Sequence, residues 1–264
     1  MSEFKQKDFN LTYADKDAKD VISLFESGEK YGKVFSIPLL NKEANLKEFE
    51  SIKKQLQGAK PEDHMIVFVA SHGLLSDDLE YYLAMNDVDF ESPKNGGLLY
   101  EQLEEIFTLS NARNRLVFLD ACHSGEIDKD ESEVIETNNM GNGTVAARGF
   151  KKVSSTSISQ RYSIFELMNQ LFADLKQNNG TTVIASASGK EFAFEGSDWK
   201  NGVFTYALID GLKNKRIEDE NRNKQIDLSE MQDYLFQKVS ELTKGKQHPT
   251  TRTINSRNDF GLVR

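Results

Sequence analysis

Two stretches decide the fold: Met65-Ile-Val-Phe-Val-Ala-Ser-His72-Gly73 and, fifty residues further on by the His-to-Cys spacing, Leu116-Val-Phe-Leu-Asp-Ala-Cys122-His-Ser-Gly125. Each begins with an unbroken run of aliphatic, β-branched and aromatic residues that is too short for a helix. A run apolar at consecutive positions suits a strand covered on both faces, as in a parallel sheet. Thr181-Thr-Val-Ile-Ala185 repeats the pattern, and Val34-Phe-Ser-Ile37 is a shorter candidate. Helical spacing fills the intervals. It runs through Ala14, Ala18, Val21, Ile22 and Phe25; through Leu46, Phe49, Ile52 and Leu56; and through Leu99, Leu103, Ile106 and Phe107. Later it runs through Ile164, Leu167, Met168, Leu171 and Leu175; through Phe204, Leu208 and Leu212; and through Leu228, Met231, Leu235, Val239 and Leu242. Strands alternating with helices read as α/β, with a mostly parallel sheet between helical layers.

Composition narrows the function. The 264 residues carry a formal charge of −9, which disfavours a nucleic-acid binder. The single cysteine, Cys122, excludes an intrachain disulfide framework and a Cys-rich zinc module. No apolar run approaches the roughly 20 residues of a membrane span. The leading MSEFKQKDFN has no apolar signal core, so a cytoplasmic protein without membrane contact is expected. Residues 126–161 keep no periodicity: acidic at first, then small and polar around Asn138–Thr144, then basic and Ser-rich. They read as a flexible linker between a block at 1–125 and a block at 162–264 of one domain.

Both deciding strands end in chemistry. In parallel α/β sheets ligands bind beyond the carboxyl ends of strands. Adjacent parallel strands would bring the His72 imidazole and the Cys122 thiol to one edge. A thiol is a good nucleophile once an imidazole takes its proton, and the imidazole can return that proton to a leaving amine. The competing structural reading is inert packing for the cysteine and a satisfied polar group for the histidine. The matched contexts favour chemistry. His64, His123 and His248 read as structural.

Ser71-His72-Gly73 with Asp120-Ala121-Cys122-His123-Ser124-Gly125 resembles the signature of caspase-like cysteine peptidases, in the metacaspase and bacterial orthocaspase branch. Leu11-Thr-Tyr-Ala-Asp-Lys-Asp17-Ala18, Gly202-Val-Phe-Thr-Tyr-Ala-Leu208 and Gly245-Lys-Gln-His-Pro249 extend the resemblance over nearly the whole chain. The resemblance implies a single caspase-like domain over 1–264. It also implies Cys122 as nucleophile, His72 as acid–base, and the backbone N–H groups of Gly73 and Cys122 as oxyanion hole. A backbone carbonyl, not a carboxylate, would orient the imidazole. The implied substrates are proteins or peptides cut after Arg or Lys, with Asp17 and Asp120 as the acidic pair that binds the basic side chain. Cutting within the basic end of the linker, at Arg148, Lys151, Lys152 or Arg161, would be self-processing.

Two departures stand out. The serine that the family often places two residues before the histidine is Ala70 here. The family's first central strand, a Val/Ile-rich run, has no counterpart before Leu11, so that strand is expected to be missing and a sheet edge exposed. This is the pattern of a piece of a longer parent with further domains, or of an inactive scaffold. No cofactor is required. Asp219, Asn221, Asn223, Asp227 and Glu230 match positions of an EF-hand loop, with Lys224 where glycine is preferred. That leaves a calcium-responsive interaction module as one alternative. The simpler account is a polar turn with Asp227 and Glu230 forming a capping box.

Overall fold

The three apolar runs become the three long central strands. In the computed structural model, described over residues 1–27, 33–56, 58–78, 80–123, 144–147, 181–188, 191–253 and 259–263, β1 is His64–Leu75, β4 is Asn114–His123 and β6 is Thr181–Ala185. At Cys122 and His123 the description is of the backbone. Between β1 and β4 lie β2 (Tyr81–Leu83) and β3 (Leu98–Leu99); β10 is Thr250–Thr253. The main sheet runs β10-β6-β4-β1-β2-β3. β1, β4 and β6 are parallel, while β2, β3 and β10 close the sheet antiparallel at its two ends.

Strand alternation splits β4 between two cores. Leu116 and Phe118 join one hydrophobic cluster; Val117 and Leu119 join the other. The first face is covered by α1 (Ala14–Glu26), α4 (Val203–Lys213) and α5 (Leu228–Leu242), through Val21, Phe204, Leu208, Met231 and Leu235. The second is covered by α2 (Leu46–Leu56) and α3 (Tyr100–Leu109), through Phe49, Leu103, Ile106 and Phe107. The result is an α/β sandwich with a central, mostly parallel sheet. No described helix is long and apolar enough to cross a membrane.

Three sequence expectations change. Val34–Ile37 joins no ladder, and Phe35 stands 77% exposed. A β-branched run needs a neighbour before it becomes a strand. The leading segment, read as polar, packs into the molecule: Met1, Ser2 and Phe4 are buried. Inside the expected linker, β5 (Val145–Ala147) pairs antiparallel with β7 (Phe194–Gly196), which pairs in turn with β8 (Asn201–Gly202). The fourth expected helix, Ile164–Leu175, and the basic positions Arg148, Lys151, Lys152 and Arg161 lie outside the described residues.

The expected exposed edge is present. On the side of β1 away from β4, no strand among the described residues pairs with His64–Ser71; β2 begins its pairing only at Gly73.

Candidate active site

β1 and β4 are in register from His64↔Asn114 to Gly73↔His123, and this ladder pairs His72 directly with Cys122. Neighbouring strands lie about 4.8 Å apart. The two residues singled out in sequence therefore sit side by side at the carboxyl ends of adjacent parallel strands. Gly73 and His123 are the next pair outward.

His72 is 4% exposed and held from three sides. Its Nε2 lies 2.8 Å from the Phe9 carbonyl oxygen. A carbonyl only accepts, so Nε2 carries the proton and Nδ1 is left with the lone pair. The rings of Phe4 and Phe90 sit 5.4 and 5.6 Å from the imidazole, and Phe9 stacks on Phe90 at 3.9 Å. The His72 carbonyl accepts the Ala84 N–H at 2.9 Å, and the neighbouring Ser71 hydroxyl donates to the Ala84 carbonyl at 2.7 Å. Backbone and ring are thus both positioned before any substrate arrives.

Asp17 and Asp120 are both fully buried, and both reach the start of α4. Asp17, one turn into α1, accepts the Gly202 N–H at 3.1 and 3.2 Å and the Asn201 side-chain amide at 2.8 Å. Asp120 Oδ2 accepts the Thr205 hydroxyl at 2.8 Å. The register sets Asp120 opposite Ala70, the position where the family often has serine. Glu195, also buried, accepts the N–H groups of Thr12 and Tyr13 at 2.7 and 3.2 Å and so ties β7 to the N-terminus of α1.

The loop at Asp219–Glu230 folds onto itself. Asp219 accepts the N–H groups of Asn223 and Lys224, Asp227 Oδ2 accepts both Asn221 and Asn223 side-chain amides, and Glu230 accepts the Asp227 N–H at 3.0 Å. The last bond is the Glu230 half of the capping box expected from sequence. Lys224 adopts φ +68°, the left-handed conformation for which glycine is preferred at that position of a calcium loop. Among the described residues no group of three His, Cys, Asp or Glu converges as a metal site. His64 lies 3.1 Å from Asn114 at the opposite, amino end of β1, and His248 pairs with Glu191 at 2.7 Å.

The caspase-domain family model matches residues 1–260. The chain belongs to the caspase-domain family. Among solved structures it is similar to protein GSU0716 from Geobacter sulfurreducens, at 16% identity and a TM-score of 0.61, over 96% of this chain and 89% of that one. That likeness supports the fold. A search of curated proteins finds no match. Membership in the caspase-domain family places the chain, at the coarse level, with the caspase-like peptidases.

Sequence reasoning missed the groups that hold His72. Phe4 and Phe9 belong to a segment read as polar. The contribution of Phe9 is a carbonyl, which no residue type signals. Phe90 sits in a loop, where periodicity has nothing to register.

Proposed function

We propose that the protein is a cysteine endopeptidase that hydrolyses peptide bonds after Arg or Lys, with Cys122 as nucleophile and His72 as general acid–base. The observation that carries this reading is the His72↔Cys122 register pair at the ends of two parallel strands. With Nε2 committed to the Phe9 carbonyl, Nδ1 takes the thiol proton. The thiolate adds to the substrate carbonyl, and the N–H groups of Gly73 and Cys122 receive the developing oxyanion. Such donors contribute about 3–4 kcal/mol in the transition state. Collapse expels the amine, which takes the proton from His72. Water, deprotonated by the same imidazole, then hydrolyses the thioester. Asp17 and Asp120 supply the negative charge for a basic side chain, and their shared attachment to α4 supports one pocket built from both. The substrates are exposed Arg or Lys segments of cytoplasmic proteins. The basic stretch from Arg148 to Arg161 makes the chain its own candidate substrate.

The test is a peptide panel on purified protein. Arg and Lys peptides are cleaved and Asp peptides are not. Cys122→Ala and His72→Ala each reduce turnover at least about a thousandfold, with the thermal midpoint of Cys122→Ala nearly unchanged. Turnover retained in Cys122→Ala refutes the nucleophile. Mass spectrometry of wild type shows fragments ending at Arg148, Lys151, Lys152 or Arg161 that are absent from Cys122→Ala; the same fragments in the mutant refute self-processing.

A second reading, a caspase-like scaffold without hydrolysis, draws on Asp17, whose two carboxylate oxygens are both occupied by Asn201 and Gly202. Labelling of Cys122 by a thiol-reactive Arg peptide decides between the two.

A further inference from the structure

The pairing of β6 with β4 continues past the last residue of β6. Beyond Leu119↔Ala185, the Ser186 N–H donates to the Leu119 carbonyl at 2.9 Å, the bond that sets Ser186 beside Asp120. Residues side by side on a ladder point to the same face of the sheet. Ser186 therefore stands with Asp120 on the face of Phe118 and Ile184, where α1 and α4 pack and where Thr205 reaches Asp120. Asp120 in turn lies just ahead of Cys122 on β4.

Ser186 is fully buried, and its backbone is held on both sides. Its carbonyl accepts the Gln247 side-chain amide at 2.8 Å, and the Gln247 side-chain oxygen accepts the Phe194 N–H at 3.0 Å. The Ser186 hydroxyl, by contrast, makes no hydrogen bond among the described residues. A buried hydroxyl without a partner destabilises the fold and calls for a reason. The neighbouring strand offers one. Asp120, whose Oδ2 accepts the Thr205 hydroxyl, places a carboxylate about 4.8 Å across the sheet, the usual strand spacing. Asp17 has its oxygens on Asn201 and Gly202, so it contributes charge more than contacts.

We propose that Ser186 selects arginine over lysine in the pocket for the basic side chain, by accepting a guanidinium N–H from an arginine bound to Asp120. The inference takes its substrate from the peptidase reading and rests on it. A guanidinium carries its N–H donors in a rigid planar fork, whereas an ammonium is a compact point charge on a shorter reach. The fork bridges a carboxylate on β4 and a hydroxyl on the neighbouring strand. The point charge settles on the carboxylate and leaves the hydroxyl aside. Phe118, Ile184 and Phe204, all fully buried on this face, keep water from competing for the bond.

Calorimetry on the Cys122→Ala protein separates recognition from turnover, with acetyl-AAR-methylamide and acetyl-AAK-methylamide as probes. The Cys122→Ala protein binds the Arg peptide more tightly than the Lys peptide. Adding Ser186→Ala weakens the Arg peptide about tenfold and the Lys peptide less than about twofold. The thermal midpoint does not fall, because the hydroxyl makes no bond in the free protein. Equal losses for the two peptides, or no loss for either, overturn the proposal, as does a Cys122→Ala protein that binds neither. A lower thermal midpoint with unchanged peptide binding makes Ser186 a structural residue and overturns it too. The peptidase reading fails separately: no hydrolysis of the Arg probe by wild type, with the Ser186→Ala effect on binding intact, leaves an arginine-selective site without turnover.

Discussion

β1 and β4 are near twins in sequence and opposites in environment. The ladder pairs Ile66 with Leu116, Val67 with Val117, Phe68 with Phe118 and Val69 with Leu119. The β4 member of each pair is at most 1% exposed, while the β1 member is only half-buried. The side chains match in character, and only the neighbours differ: among the described residues β4 has a strand on both sides, β1 on one over this stretch. A side chain on a sheet is buried by the adjacent strands as much as by the helices above it. The His72↔Cys122 register pair spans this contrast, with its cysteine on β4 and its histidine on β1.

Core truncation gives the largest break. Phe118→Ala is expected to cost about 3–5 kcal/mol in urea unfolding, as for a fully enclosed aromatic. Phe68→Ala should cost roughly half as much, since part of that ring already faces solvent. Equal losses would mean that the edge of β1 is covered in solution.

One level toward the site, β4 carries Asp120 where β1 carries Ala70. Thr205→Val removes the hydroxyl that Asp120 accepts and keeps the shape. A lost bond to a buried charged group should cost about 1.5–3 kcal/mol. The loss should shrink in an Asp120→Asn background, and a double-mutant cycle by denaturation reads the coupling. No coupling would detach Asp120 from α4.

The smallest effect tests how dry the β4 side is. Glu104 on α3 lines a crevice with Val117, Thr181 and Val183, and burial, aided by Glu101, pushes its carboxyl up to about 7. The folded state thus holds this proton more tightly than the unfolded chain, whose value is near 4.5. Stability from Glu104 is fully present below pH 4.5 and is lost as pH rises to about 7, where the folded group ionises. Because the residue is partly solvated, the loss is about 1 kcal/mol after screening. Glu104→Gln should flatten that part of the stability profile. An unchanged slope would place Glu104 in water.

The sequence by itself determined the three long strands, because consecutive β-branched and aromatic residues leave little else for those segments to be. It determined five of the described helices by spacing, and it singled out His72 and Cys122, which the ladder makes register partners, because each follows an apolar strand with the same local chemistry. Tertiary structure alone decided what holds the imidazole: the Phe9 carbonyl and the Phe4 and Phe90 rings come from segments without periodicity, and a carbonyl has no residue signature. It alone brought Asp17 and Asp120 to one helix start, through Asn201, Gly202 and Thr205, more than eighty residues away in sequence. It also decided that Val34–Ile37 stays an unpaired segment while Val145–Ala147 becomes a strand. Pairing depends on a partner's position in space, and a local pattern carries only the readiness to pair.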